Sequence, residues 1–366
     1  MSAPRSVLVI CTRRIGDVLL ATPVLRSLRR AWPEAQIHAL VFAGTQGVLE
    51  ANPDLDSIIT VPARPTLGEH LKLLARLRRR YDLALSLLTG DRPTLYAWAA
   101  GRRRGGMVSS SRKESWISRL LQVRVPFDDL DTHTVRMNLQ LVEALGVPAH
   151  ADVIVSWSAA DESALDELVA APLRARPYAV LHPFPKFNYK MWHTRGWVEL
   201  VRWLEHQGLQ VFLSAGGAAD EMAYCEDIVR RSGGSALNLA GMLSLGQLGA
   251  LLSRAAVYVG PDTVVTHMAA ALGVPTVALF GPSDPVKWGP WPRGFDSRRN
   301  PWQRVGSQAV GNVRLVQGET RCVPCMLEGC GRNEASFSDC LQHLPARRVI
   351  QAAEALLGER ATAAPA

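Results

Sequence analysis

VYVGPDTVVTHMAAALGVPTVALFGPSDP, running from Val257 to Pro285, decides the fold of this chain. The apolar run that enters it, Ala256–Val259, stops at Gly260-Pro261, and a helix opens at Asp262–Thr263. After Gly273 a second apolar run, Thr276–Phe280, ends in Gly281-Pro282-Ser283-Asp284-Pro285. The unit is strand–helix–strand, with a polar turn at the carboxyl end of each strand. In open α/β sheets that edge is where ligands bind. The amides and dipole of a helix that starts near Asp262 suit a phosphate.

The same alternation extends outward in both directions. Upstream, strands are expected at Tyr178–Leu181, Gln210–Ser214 and Ala236–Leu239, and helices at Arg195–Gln207, Ala218–Arg231 and Leu245–Arg254. Earlier still, Val7–Ile10, Ile37–Phe42, Ser57–Val61 and Leu83–Leu87 are strand-like, with Arg102–Val108 a further candidate. Val18–Trp32, Leu67–Arg80 and Thr132–Leu145 have helical spacing, and Pro23 implies a late start or a kink in the first. Such alternation predicts parallel sheets covered on both faces. The polar, Ala-rich segment Ser156–Ala175 falls between the two sets as a linker. We therefore expect two Rossmann-like domains, 1–160 and 176–345, and a terminal helix at 346–358 that returns to the first. The closing ATAAPA reads as a frayed tail.

At 366 residues the chain is long enough for two cores, and 48% hydrophobic with 20% charged residues is a globular composition. No apolar run approaches the roughly 20 residues that span a bilayer. The amino terminus, MSAPRSVLVICTRR, has no signal-peptide pattern, which predicts a cytoplasmic protein. The net charge of +8 lies wholly in residues 1–150, where 21 Lys/Arg face 13 Asp/Glu. Arg78–Arg80, Arg102–Arg104 and Arg112-Lys113 supply part of it. A one-sided positive field attracts an anionic partner, unless these are only solvated helix faces.

Polar groups recur where strands end. After the first strand come Arg13, Arg14, Ile15, Gly16 and Asp17. Asp17 at a helix start either caps that helix or accepts a proton from a substrate hydroxyl. Arg13 and Arg14 beside it suit an acidic ligand. His182-Pro183-Phe184-Pro185-Lys186-Phe187-Asn188-Tyr189-Lys190-Met191-Trp192 opens the second set. There Lys190 is either a surface lysine or a cation for a diphosphate, with Trp192 packing the loop. Glu221, after Gly216-Gly217, either serves the helix dipole or accepts from ribose hydroxyls.

Four segments, in this order and spacing, resemble glycosyltransferase family 9, the heptosyltransferases of lipopolysaccharide core synthesis. They are Ile15-Gly16-Asp17-Val18 with Thr22-Pro23, and His182-Pro183 through Lys190-x-Trp192. Asn238-Leu239-Ala240-Gly241 follows, then Asp262-Thr263 to His267 with Gly281–Pro285. The resemblance spans about residues 5–350. It implies an α/β GT-B fold whose two parallel sheets face each other across a cleft, with acceptor on the first domain and donor on the second. It further implies inverting transfer of heptose from an ADP-sugar to an anionic lipid-linked acceptor, with no required metal. On that analogy Asp17 is the general base and Arg13 and Arg14 meet the acceptor. Lys190 binds the donor phosphates, Glu221 the ribose, and Asp262, Thr263, Val264 and His267 form the phosphate-binding helix start. Met242 falls at the nucleobase, although it also suits core filling. The enzyme would touch the inner membrane's cytoplasmic face. Three positions depart from the family pattern: Phe184 replaces the glycine after His-Pro, His193 the proline after Lys-x-Trp, and Val264 the glycine after Asp-Thr.

Cys322, Cys325, Cys330 and Cys340 fall within nineteen residues. They are either thiols packed in a loop or ligands of a structural zinc or iron–sulfur centre, and the expected chemistry needs neither. Two rival readings remain. A transferase of another nucleotide-sugar or an epimerase is one, though an epimerase leaves the basic first half unused. A nucleic-acid-binding module with a cysteine-bound metal is the other; it leaves Asp17 and Lys190 unused, and the arginines lack interleaved aromatics. Nucleic acid is therefore not an expected partner.

Overall fold

Strand β1 (Ser6–Cys11) is buried along nearly its whole length, as a central parallel strand must be. It lies at the middle of the first of two units, Met1–Ser156 and Trp157–Ala366, into which the chain divides. The structure, a computed structural model, describes residues 3–109, 116–296 and 298–363. Arg112-Lys113 of the basic surplus and the last three residues of the tail lie outside the described residues.

In the first unit β1 is followed by α1 (Ile15–Leu19), α2 (Thr22–Ala31), β2 (Gln36–Phe42) and β3 (Ser57–Val61). Then come α3 (Leu67–Leu77), β4 (Tyr81–Ser86), α4 (Asp91–Ala100), β5 (Gly101–Val108), β6 (Val123–Pro126) and α5 (Thr134–Glu143). The six strands are parallel in the order β3-β2-β1-β4-β5-β6. Helices α2 and α5 pack together over one face of the sheet, α3 and α4 over the other. Leu8 and Ile10 of β1 meet Leu73 and Leu77 of α3, Tyr96 and Ala97 of α4, and Leu121 in one core. Pro23 acts as its chemistry requires. Helix α1 ends at Leu19 and α2 begins afresh with the proline in its first turn, where no amide is missed.

The second unit opens with α6 (Ala159–Ala175), in the segment expected to be a linker. Ser158 and Asp161 close a capping box on its first turn, and the helix packs against α9 (Leu245–Ser253). It continues with β7 (Tyr178–Leu181), α7 (Thr194–His206), β8 (Gln210–Leu213), α8 (Ala219–Ser232) and β9 (Leu237–Asn238), ahead of α9. Then come β10 (Val257–Pro261), α10 (Val264–Leu272), β11 (Thr276–Phe280), α11 (Pro285–Trp288), β12 (Gln308–Val310) and β13 (Val313–Gln317). Helices α12 (Asp339–Gln342) and α13 (Ala346–Ala363) complete it. The sheet order is β12-β13-β11-β10-β7-β8-β9, parallel except where β12 pairs antiparallel with β13. Helix α13, expected to return to the first domain, has its packing here. It lies against α7 and β13, and Val349, Ala353 and Leu356 join this unit's core.

His193, one of the three departures, has a structural task. It stands at the N-cap of α7, where its Nδ1 accepts the Gly196 N–H at 2.9 Å. That bond leaves Nε2 to donate to the Leu344 carbonyl, also 2.9 Å away, which the Trp192 indole N–H reaches at 2.7 Å. A proline could supply the backbone angle but neither bond. His193→Ala should therefore cost about 1–2 kcal/mol of stability, a cap plus a partly buried hydrogen bond. Thermal unfolding would read this as a drop of roughly 2–8 °C, and an unchanged midpoint would reject the assignment.

Candidate functional site

Each sheet reverses its winding once, and Asp17 in the first and Lys190, Asp262, Thr263 and His267 in the second lie at those reversals. In the first sheet β1 leads outward to β2 and β3, then the chain crosses back and continues from β4 on the other side. In the second, β7 leads to β8 and β9, and β10 returns to the other side of β7. Next to a reversal the two loops leave the sheet in opposite directions and open a crevice at the strands' carboxyl ends.

Asp17 lies at the first reversal, in the opening turn of α1, with its side chain 12% exposed. Arg14, not Asp17, occupies the N-cap position of that helix. Arg13 Nη1 is 3.7 Å from the Asp17 carboxylate, and the Arg13 side chain is half exposed. A carboxylate at this place stands at the sheet edge where ligands of open α/β sheets bind.

The second reversal brings together Lys190 from the loop after β7 and Asp262 from the end of β10. Lys190 Nζ donates to Asp262 Oδ2 at 2.5 Å and approaches the Asp262 carbonyl at 3.4 Å. An ammonium has three donors, so one remains for a ligand. Burial alone would push the Asp262 carboxyl up. The Lys190 charge, His267 and the Ser283 hydroxyl outweigh it and hold the group below the ordinary aspartate value. The Lys190 turn is pinned from behind: Ser338 Oγ donates to the Tyr189 carbonyl at 2.7 Å and Gln342 to that of Met191 at 2.8 Å.

Thr263 is the N-cap of α10 but its hydroxyl does not cap, so the first-turn amides, that of Val264 included, stay available to an anion. The half-buried Val264 side chain leaves the backbone N–H in place. His267, one turn further on, is 4% exposed, and its Nδ1 has no hydrogen-bond partner among the described residues. Its Nε2 lies 3.8 Å from Asp262 Oδ1. Burial nevertheless lowers its pKa to about 4, so at neutral pH this is a neutral imidazole beside a carboxylate, not an ion pair.

Two strands along the same edge, Glu221 stands in the first turn of α8. Burial raises its carboxyl, while the Gly216 N–H bonded to it favours the ionised form. A Cβ at Gly216 would displace that carboxylate from its present place. Met242 follows Gly241 in the turn after β9 and is 52% exposed, which excludes core filling. The Asn238 side chain accepts the Ala240 N–H at 3.0 Å and so shapes that turn. Phe184, the second departure, packs edge-on against Tyr224 of α8, 5.5 Å between ring centres. His182 is buried just after β7, with Nδ1 3.1 Å from Ser214 Oγ.

The four cysteines differ in their surroundings. Cys340 is buried, packed where a Cβ at Gly281 or Gly318 would strike it, while Cys322 and Cys330 are exposed. Burial, with the nearby Cys325, pushes the Cys340 thiol up to about 12, so it is protonated. Among the described residues no three His, Cys, Asp or Glu side chains are placed to hold a metal ion. No described helix is long and apolar enough to cross a membrane.

His182 and His267 both have pKa values lowered to about 4 in the fold, against 6.5 when unfolded, with burial the main cause. The unfolded chain thus binds more protons between those values, and stability must fall as pH drops from 6.5 toward 4. The loss should be on the order of 2–3 kcal/mol per histidine. Urea unfolding at pH 7.5 and 5 measures it, and His182→Gln should flatten the dependence. A midpoint independent of pH would reject the neutral-imidazole assignment.

Comparison with known proteins bears on the family and the fold. A sequence model of glycosyltransferase family 9 (heptosyltransferase) matches residues 70–302. The chain is 28% identical over 360 residues to a lipopolysaccharide heptosyltransferase 3 of Escherichia coli K12, covering 95% of this chain and 97% of that one. A family 9 glycosyltransferase from Veillonella parvula superposes with a TM-score of 0.78 at 20% identity, covering 97% of each chain. The ADP-heptose lipopolysaccharide heptosyltransferase II of E. coli does so at 0.75 and 22%, covering 97% of this chain and 99% of that one. These likenesses show the GT-B class of α/β fold, and the resemblance read from the four motifs is borne out. The chain belongs to glycosyltransferase family 9, the heptosyltransferase family, and is a glycosyltransferase.

Proposed function

We propose that this glycosyltransferase moves a heptose from an ADP-sugar, with inversion, to a hydroxyl of an anionic lipid-linked acceptor such as a lipopolysaccharide inner core. The observation that carries the reading is the Lys190–Asp262 pair beside the uncapped start of α10, at the winding reversal of the second sheet. In this reading the second unit binds the donor. Glu221 accepts from the ribose hydroxyls, and exposed Met242 offers a soft apolar surface to the nucleobase. The diphosphate meets the remaining Lys190 donor and the amides of Thr263 and Val264. His267 keeps Asp262 company without adding charge.

The first unit holds the acceptor, with Arg13 and Arg14 on its anionic groups. The acceptor oxygen attacks the anomeric carbon as the bond from that carbon to the ADP oxygen breaks, and its proton passes to Asp17. Charge grows on the leaving diphosphate, where a fixed cation and helix amides lower the barrier most. No step is routed through a metal, and the cysteine loop acts as a scaffold for α12 behind Lys190. The enzyme works at the cytoplasmic face of the inner membrane, touching it from one side.

A thermal-shift panel of ADP, UDP, GDP and ADP-heptose tests the donor assignment. Saturation at about a hundred times the dissociation constant should add roughly 2.7 kcal/mol to stability. ADP species alone should stabilise the wild type, and Lys190→Ala should lose that response. Because this change strands the Asp262 carboxylate, the response is read with and without ligand within each variant. Stabilisation by UDP or GDP instead would move the protein to another donor, and no response would remove the donor site. Asp17→Asn should keep the ADP response and lower kcat by about 10²–10⁴-fold; a variant with wild-type kcat would exclude Asp17 as the base.

A further inference from the structure

Five large apolar side chains are strongly exposed among the described residues of the first unit, and four of them belong to one face of its sheet. Leu67 is 75% exposed and Leu71 56%, both on α3; Trp98 on α4 is 48% exposed, and Trp116, just before the 3₁₀ turn Ile117–Leu120, is 62%. These elements are neighbours, since α3 and that turn both pack against α4. Helix α3 spends Leu73 and Leu77 on the core. Leu67 and Leu71, four residues apart, extend its apolar arc beyond what the domain covers. Beyond its first turn, α4 is otherwise buried or half-buried, so Trp98 is its one outward residue.

Cations flank this stripe. Lys72 and Arg76 lie on the adjoining arc of α3, both exposed, and Arg78–Arg80 continue from its end. The one acid on the helix, Glu69, is engaged with Thr66 in the capping box. A helix with protruding leucines, basic residues along the apolar edge and tryptophans beside it has the composition of an interfacial surface. Indoles favour the headgroup level, and lysine and arginine favour anionic lipid.

We infer that the α3–α4 face of the first unit docks on an anionic phospholipid bilayer, with Leu67 and Leu71 inserted and Lys72 and Arg76 on the headgroups. The inference rests on the reading that the acceptor is lipid-linked, and it names the surface by which the enzyme would reach that lipid. It uses none of the residues assigned to the donor or to proton transfer.

Sedimentation of the full chain with vesicles tests it, using phosphatidylcholine alone and phosphatidylcholine mixed with phosphatidylglycerol. The wild type should pellet with the mixed vesicles only, and less as salt is raised. Leu67→Gln with Leu71→Gln, and separately Lys72→Gln with Arg76→Gln, should each weaken binding by about tenfold or more. Both double variants should keep the wild-type unfolding midpoint and ADP stabilisation, which separates lost docking from lost folding. Absence of wild-type binding, or variants that bind as tightly as wild type, would overturn the inference while leaving the donor reading standing. So would a wild-type dimer that the leucine changes split without altering vesicle binding. Docking that persists in a protein no ADP species stabilises would instead retain this surface and remove the donor site.

Discussion

A carboxylate buried to 8% exposure cannot persist ionised without a cation, and Asp262 has Lys190. Much of the second unit can be understood from that pair. It joins the loop after β7 to the end of β10, the two strands between which the sheet reverses. The lysine's turn must then be rigid, and it is: α12 and its flanks bond the carbonyls of Tyr189 and Met191, while the indole of Trp192 and the imidazole of His193 reach Leu344. The pair also sets the charge of the site. With one ammonium, one carboxylate and a neutral His267, the site is close to neutral before a ligand arrives. A free anion then gains little from net charge, whereas a diphosphate aligned on the α10 amides gains from directed donors.

The two units solve related problems with different means. Both put polar loops at the carboxyl edge of a parallel sheet. The first keeps a half-exposed arginine next to a mostly buried aspartate, and the second buries its cation–carboxylate pair. In the proposed reading the first takes up a proton and the second holds a phosphate, and a phosphate-binding pair benefits from being fixed in place. The surplus positive charge follows the same division, since all of it lies in residues 1–150.

The strand–helix alternation was legible because parallel strands buried on both faces are unbroken apolar runs bounded by turn residues. Pro23 marked the division between α1 and α2 for the same local reason. What escaped depends on packing that local pattern does not carry. Helix α4 has Arg92-Pro93 at its start and then Ala, Tyr and Trp without a clear polar face, because it is covered on nearly all sides. Helix α6 looked like a linker because its residues are small and polar; its capping box was present in the sequence as Ser158-x-x-Asp161. Strand β12 has three residues and exists only by pairing with β13. The packing of α13 on α7 and β13 is likewise a long-range fact.

The candidate residues could be placed at strand ends from the sequence, and their states could not. Met242 could have been core filling until its exposure was known, and His267 could have been charged until its burial was. The departures show the same division of labour. His193 exchanges a proline's stiffness for two hydrogen bonds that hold the loop to Leu344. Phe184 places a ring against Tyr224, whose hydroxyl donates to the Trp192 carbonyl at 3.2 Å, so the bulk added after His182-Pro183 is tied to the segment that carries Lys190. Val264 adds a side chain while leaving the amide that matters. His193 and Phe184 therefore act on how firmly the loop that carries Lys190 is held, and none of the three departures removes a group that the proposed reading assigns to the diphosphate.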